Sequence, residues 1–403
     1  MIPAVLAACL ALLGAAQALT GWRACARFAA RPHAAPAHSP PITVLKPLHG
    51  DEPLLEAALA TLCRQDYPAY EVVCGVQDPA DPAIAVVRRL QARFPGRRLR
   101  LVIDPTPHGA NRKVANLINM LPAARHAVLA IADSDLHVAP DWLDRLAAAL
   151  EAQDVGLVTT LYAGLPARPR LIERLGAEQI THVFLPGALL ARALGRQDCL
   201  GATMLLRRAT LERIGGLPAL VDHLADDNVL GQKVRALGLR VALADTVPLT
   251  TVPEATLAAL WRHELRWART VRALAPAAFA ASVLQYPIVW SLAALALSGG
   301  AVWAWGGLAL AWGARAAAGR GIDRALRRRG VALAFPLPLW FLPLRELISV
   351  AVLLAAFAGN RVEWRGQTLF ATPSSAPPAA PAAAPLAAPP AARSAQPDGS
   401  LPR

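Results

Sequence analysis

Residues 127–143, AVLAIADSDLHVAPDWL, are an apolar run that breaks at Asp133-Ser134-Asp135 and leads, after a polar stretch, into a helix opening at Pro140. A short apolar run ahead of a turn is the pattern of a strand buried on both faces. Proline suits a first helical position, where its missing N–H is not needed. Two carboxylates therefore stand at the carboxyl end of a buried strand, which in an open α/β sheet is where ligands bind. Spaced one apart, they can share a hard divalent cation that would also hold the pyrophosphate of a nucleotide. An Asp-x-Asp turn is equally an ordinary loop, so the pair gains meaning only from its company.

Working outward, strands are expected at 42–48, 70–77 and 99–104, alternating with helices at 54–65, 82–94 and 113–121, before the strand at 127–132. That alternation predicts a mainly parallel sheet with right-handed crossovers. The second strand ends in Gln77-Asp78-Pro79-Ala80-Asp81-Pro82. Asp81, just ahead of Pro82, suits helix capping, whereas Asp78 has less structural reason to be there and can accept hydrogen bonds from a base or ribose. Neither G-x-G-x-x-G nor a Walker A loop occurs in the first half, so a bound pyrophosphate must rely on cations. The turn His108-Gly109-Ala110-Asn111-Arg112-Lys113 offers two of them, and reads equally well as a solvated basic turn.

Downstream, a strand is expected at 156–164 and a helix at 171–180. A glycine turn at Cys199-Leu200-Gly201 then feeds another strand, and Gly215-Gly216 closes a short helix. Glycine there lets a ligand approach the backbone, although a bulge would also use it. Asp226-Asp227 opens a helix that runs through Ala236. One carboxylate suffices for capping, and the other is free to act as a base toward an acceptor hydroxyl.

The 403 residues carry a net charge of +13 and are 55% hydrophobic with only 17% charged. That is too apolar for an ordinary soluble enzyme and points to membrane segments beside a globular part. Residues 2–20 are long enough to cross a bilayer. Arg23, Arg27 and Arg31 come after them and no basic residue precedes, which favours a retained anchor over the cleaved signal peptide that Ala16-Gln17-Ala18 resembles, and sets the adjoining globular segment in the cytoplasm. Residues 254–274 form an amphipathic helix with Arg262, Arg266, Arg269 and Arg272 on one face, suited to a membrane surface. Two apolar spans come next at 278–298 and 300–318, then a basic cytoplasmic segment at 319–329. Residues 331–358 are interrupted by three prolines and Arg345-Glu346, so two short interfacial or re-entrant pieces are expected there. The resulting division is an anchor at 1–22, a linker at 23–41, a catalytic domain at 42–252, an interfacial helix at 253–276, membrane segments at 277–360 and a disordered Pro/Ala tail at 371–403. Five scattered cysteines argue against a disulfide framework. Basic residues interleaved with aromatic ones do not recur, so nucleic acid is not expected as a partner.

Taken together, Asp78 or Asp81, Asp133-Ser-Asp135, Asp226-Asp227 and Arg266-Trp267 form an ordered series on a βα scaffold that leads into membrane segments. In this series the sequence resembles the family-2-like glycosyltransferases of GT-A fold, whose signature is D, D-x-D, D and (Q/R)xxRW. The closer resemblance is to the ceramide glucosyltransferase family and its bacterial branch, the hopanoid-biosynthesis glycosyltransferases. It is carried by Lys46-Pro-Leu-His-Gly50, Asp66-Tyr67-Pro68, Asn116-Leu117, Gly156-Leu157-Val158, Arg345-Glu346 and Trp364-Arg365-Gly366 as well. The resemblance implies an α/β GT-A catalytic domain, Rossmann-like, with transmembrane helices at both ends. It implies nucleotide contact at Asp78 and Asp81, Mg²⁺ or Mn²⁺ with the diphosphate at Asp133 and Asp135, and Asp227 as general base. Arg266 and Trp267 match the last motif at the donor site, with His263 standing where the family has Gln or Arg, and Lys113 joins them as a cation of the basic turn. The implied partners are a UDP-sugar, a membrane lipid acceptor (hopanoid polyol or ceramide) and the bilayer, and the implied place is the inner membrane with a cytoplasmic catalytic domain. A processive polysaccharide synthase shares the same series but needs a continuous channel, for which three or four spans are few.

Overall fold

The computed structural model describes residues 1–33, 35–364 and 367–370. Within residues 42–252 the strands are β1 (Ile42–Pro47), β2 (Tyr70–Val76), β3 (Leu99–Ile103), β4 (Val128–Ala132), β5 (Leu136–His137), β6 (Val155–Thr159), β7 (Ala163–Pro166), β8 (Thr203–Arg207), β9 (Arg240–Leu243) and β10 (Leu249–Val252). The main sheet has the order β3-β2-β1-β4-β8-β6-β9, and β5-β10-β7 form a smaller one. Its first four strands are parallel, as is the β6–β9 pair, while β8 runs antiparallel to both neighbours. The reversal at β8 sets the start of that strand beside the end of β4, where Asp133 donates its N–H to Ala202 O.

Ahead of the sheet runs α1 (Ile2–Ala29). Within it lie α2 (Leu55–Leu62), α3 (Ala83–Arg93), α4 (Arg112–Met120), α5 (Trp142–Leu150), α6 (Leu171–Gln179), α7 (Leu185–Ala193), α8 (Arg208–Arg213) and α9 (Asp226–Ala236). After it come α10 (Leu257–Leu274), α11 (Pro276–Ala281), α12 (Pro287–Leu297), α13 (Val302–Arg328), α14 (Leu342–Ala356) and the hairpin β11 (Arg361–Trp364) with β12 (Gln367–Phe370). Strand side chains alternate between two cores, as the twofold period of a strand demands. Val44, Cys74 and Ala130 meet Leu59 of α2, Val87 of α3 and Trp142 of α5, whereas Leu45, Val73 and Ile131 meet Leu117 of α4 and Leu230 of α9.

Several elements differ from expectation. The strand expected at 156–164 is two, because Thr160-Leu161-Tyr162 carries the chain from the main sheet to the small one, where β7 pairs with β10. The helix expected at 171–180 does not stop; it passes through one π turn, Ile180–Phe184, into α7. Pro140 precedes its helix by two residues, since α5 begins at Trp142. Residues 278–298 are bent by 67° where Tyr286 meets Pro287, a break that Pro imposes by lacking an N–H. The prolines before α14 give way to one unbroken helix instead of two short pieces. Arg345 and Glu346 do not pair with each other but with Glu264 and Arg315 on neighbouring helices, which removes the cost that argued against continuity.

Among the described residues, Ile2–Ala29 and Leu339–Ala356 are each long and apolar enough to cross a membrane, and the bent pair Pro276–Gln285 with Pro287–Leu297 makes a third only if counted as one span. The span expected at 300–318 belongs to the longer α13, which has Arg315 in its middle and is not among these. Small residues let the helices close up: Ala4, Ala7, Ala11 and Gly14 of α1 are buried, and a Cβ on Gly14 would sit 2.4 Å from Leu284 O. On the expected arginine face of α10, Arg262 is exposed, whereas Arg269 and Arg272 bond the backbone at Arg361 and Gly359. The Pro/Ala tail at 371–403 and Arg365-Gly366 lie outside the described residues.

Gly164 on β7 lets α6 approach the sheet: a Cβ there would lie 2.4 Å from Ala177 Cα. Gly164→Ala is expected to lower stability by about 1–3 kcal/mol through overpacking. Gly187→Ala, where nothing lies within 4 Å, serves as the control. Thermal unfolding of the detergent-purified chain checks the difference.

Candidate active site

The carboxyl ends of β1 and β4, the start of β8 and the first turn of α9 converge on one crevice. Lys46, next to last in β1, is fully buried and donates from Nζ to Asp133 O. Burial pulls its ammonium down to about 8, against the attraction of Asp135 and Asp133. A lysine near the end of a mostly apolar strand was the available signal for it, yet its role is visible only in the folded chain. Asp133 comes directly after β4, and its Oδ1 lies 2.6 Å from Lys113 Nζ. Burial works against the Lys113 charge, but Asp133 and Asp226 together hold its pKa above the ordinary lysine value. The same ammonium stands 3.9 Å from Asp226 Oδ2, so Lys113 bridges the Asp-Ser-Asp turn and α9.

Lys113 owes its place to Asn111, which caps α4 by accepting from the N–H groups of Lys113 and Val114. The Asn111 Nδ2 donates to His223 O and to Asp226 Oδ1 at 3.3 Å, and Asn111 N–H donates to Val221 O. One asparagine thus registers the basic turn at 108–113 on the loop leading into Asp226-Asp227.

Asp135 points down rather than out. Thr250 of β10 donates to its Oδ2, and Asp135 O accepts from Thr251 N–H at 3.1 Å. Burial, then the neighbouring Asp133, pushes its carboxyl up to about 6. Asp227 is pushed up to about 7 by burial and by Asp226. Its carboxylate closes on the Gly201 turn, where a Cβ would lie 2.8 Å from Oδ2. A side chain at 201 would therefore push the carboxylate out of its place. No capping bond comes from the residue before α9, so Asp226 and Asp227 stand in its first turn, where the helix's own N–H groups favour negative charge.

Tyr162, on the crossing between the sheets, was not singled out by sequence reasoning and had no motif to mark it. Its ring packs 4.7 Å from Phe184 and shares a cluster with Trp267 of α10. Burial and then Asp227 raise its hydroxyl pKa, with Asp133 and Asp135 adding to the effect and Arg266 opposing it. The rings of His263 and Trp267 stand perpendicular with centroids 4.7 Å apart, and His263 pairs through Nδ1 with Glu254.

The two acidic residues after β2 are used differently. Asp81 is buried and accepts from Gly50 N–H at 3.0 Å and Ala83 N–H at 2.9 Å, so it both starts α3 and ties down the loop after β1. Asp78 is exposed and accepts from Ala80 N–H. Neither bonds directly to the Asp133 cluster; they lie along the same sheet edge, beyond β1.

Four carboxylates, Asp133, Asp135, Asp226 and Asp227, face two ammoniums in this crevice, an excess of negative charge in surroundings of low dielectric. Such a donor set suits a hard divalent cation. Among the described residues no three His, Cys, Asp or Glu side chains are grouped to enclose one. Asp133 and Asp135 would therefore supply part of the shell only, leaving the remainder to water or phosphate oxygens, as is usual for Mg²⁺.

The chain is 24% identical over 253 residues to ceramide glucosyltransferase 1 of Caenorhabditis elegans, covering 61% of this chain and 53% of that protein. It thus spans about half the length of that relative. It is 26% identical over 273 residues to an N-acetylglucosaminyltransferase of Rhizobium meliloti, covering 62% of each. Among solved structures, a mannosyltransferase from Pyrobaculum calidifontis in complex with GDP-Man and Mn²⁺ superposes with a TM-score of 0.52 at 23% identity, covering 88% of this chain and 99% of that one. The fold is GT-A. The model of glycosyl transferase family 21 matches residues 4–375, and the chain belongs to that family.

Proposed function

We propose that this chain is a membrane-bound inverting glycosyltransferase that moves a sugar from a UDP-sugar to the hydroxyl of a polar lipid. The observation that carries the reading is Asp227: a half-buried carboxylate pushed up to about 7, seated against Gly201 and linked through Asp226 and Lys113 to the Asp133 turn. A base with a pKa near the working pH combines an available unprotonated form with useful proton affinity. In this reading Asp227 takes the acceptor's proton as its oxygen attacks the anomeric carbon, and a single displacement inverts that centre. Lys113 and Arg266 meet the departing diphosphate, Trp267 and Tyr162 line the sugar, and Asp78 and Asp81 serve the nucleotide end. His263 acts at the donor side by fixing the Trp267 ring. Asp133 and Asp135 would hold Mg²⁺ or Mn²⁺, which when bound supplies charge neutralisation to the leaving diphosphate.

The acceptor follows from the helices attached to the catalytic domain: a lipid stays in the bilayer while its hydroxyl reaches a crevice facing the cytoplasm. N-acetylglucosamine is the proposed sugar and a hopanoid polyol the proposed acceptor, a reading supported for the sugar by the bacterial relative's name. Glucosylation of ceramide is the competing reading, favoured by the family's ceramide glucosyltransferases.

Purified protein with Mn²⁺ is expected to transfer sugar from UDP-N-acetylglucosamine to bacteriohopanetetrol, with ceramide and UDP-glucose as the competing pair. Asp227→Asn should lose roughly 10²- to 10⁴-fold in rate, and absence of both transfer and UDP binding in the wild type would remove the reading. Below about pH 7 Asp227 is protonated and cannot accept the proton, so kcat/KM is expected to fall with unit slope as pH drops, and the limb should vanish in the Asn variant. Asp133→Asn should weaken Mn²⁺ binding measured in the presence of UDP, while Thr250→Val, which frees Asp135 from its hydrogen bond, should alter that affinity less. Gly201→Ala is expected to displace the Asp227 carboxylate and lower the transfer rate on the order of 10²-fold, with little change in thermal unfolding because only a side-chain tip must move.

A further inference from the structure

We infer that Arg345, on a helix that is long and apolar enough to span a membrane, is the positioning residue for Arg266 and Trp267; the inference rests on the transferase reading above. Adjacent residues on a helix point about 100° apart, and α14 uses this to face two ways. Arg345, 1% exposed, makes a two-pronged pair with Glu264 of α10, Nη1 to Oε1 at 2.8 Å and Nη2 to Oε2 at 2.7 Å. The same guanidinium donates to Leu175 O of α6 at 3.2 Å and to Ser349 Oγ, which in turn donates to Gln179 Oε1. Glu346 turns to the other side, pairing with Arg315 of α13 at 3.0 Å and accepting from Ile288 N–H at the start of α12.

Glu264 lies between Leu260 and Trp267 on the stripe of α10 that meets α6. Leu260 packs with Leu175, Gly176 lets it come close, and Trp267 packs on Ala177 and Ile180. The guanidinium therefore fixes the axial and rotational setting of α10 against α6 in the middle of that stripe. Apolar contacts alone tolerate sliding, whereas a planar fork on a carboxylate accepts one geometry. Arg266 and Trp267 are two and three residues along from Glu264, so an error in that setting passes directly to the groups proposed to meet the donor. The donor site is in this sense indexed to a membrane-type helix and not only to the sheet.

Arg345→Lys and Glu264→Gln test this in the full-length protein. Lysine keeps the charge but loses the fork, and glutamine keeps the shape of Glu264 but loses its charge. Arg315→Lys is the matched control, a comparably buried pair on the opposite side of α14. The expected result is a KM for the UDP-sugar raised at least tenfold in both Arg345→Lys and Glu264→Gln, with weaker UDP binding. In Arg315→Lys the thermal midpoint should fall with KM unchanged. Equal KM values in all three, with only thermal midpoints lowered, would overturn the role, as would a KM rise in the control as large as in the other two. If Arg345→Lys does not fold, Glu264→Gln decides alone by the same criterion. A wild type that binds no UDP with Mn²⁺ removes the transferase reading itself, whereas a wild type that binds it beside unaltered variants removes only the role of Arg345.

Discussion

Crowding of like charge at the end of β4 dictates what the surrounding elements must bring to it. Four carboxylates share one partly buried cluster, and two of them, Asp135 and Asp227, are pushed well above the usual carboxylate range by burial and by each neighbour's charge. Charge of one sign out of water persists only where cations and donors are built around it. Lys46 from below, Lys113 from the side and the Thr250 hydroxyl are those donors, each delivered by a different element. The antiparallel entry of β8 and the Asn111 cap exist, in physical terms, to bring α9 and the basic turn to the same point.

The second half of the molecule solves a related problem with a different economy. Charges inside an apolar helical bundle must be paired, and here the pairs double as connectors: Arg345 reaches toward the catalytic domain and Glu346 toward α12 and α13. A third link comes from the π turn, where His182 sits between Glu178 and Asp323 of α13, each 2.7 Å away. Burial disfavours the imidazolium, yet the two carboxylates prevail and lift it to about 10. The π turn thus carries Phe184 toward Tyr162 on one side and a charged tie to α13 on the other.

Much of the catalytic half was legible before folding. The alternation of strands and helices from 42 to 132 and the acidic residues at the strand ends follow from periodicity, because a buried strand must be apolar and a carboxylate must lie where the apolar run stops. Gly201 was readable as a close approach, though not what approaches it. Tyr162 was not readable, since a lone tyrosine after Thr160-Leu161 has the pattern of a strand, and only the switch between sheets sets it beside Phe184 and Trp267. The break in the strand at 156–164, the π turn and the continuous α14 were missed for one reason: each depends on partners distant in the chain.

By itself the sequence determined where chain direction changes, which faces are apolar and which carboxylates stand at strand ends, since these depend on local pattern and on the cost of burying unpaired polar groups. Which charges neighbour which emerges only on folding. Arg345 and Glu346 look like a pair in the sequence and are not one, and Lys113 is separated by more than a hundred residues from the Asp226 it faces. Electrostatic partnership is a matter of distance in space and of local dielectric, and neither quantity is written along the chain.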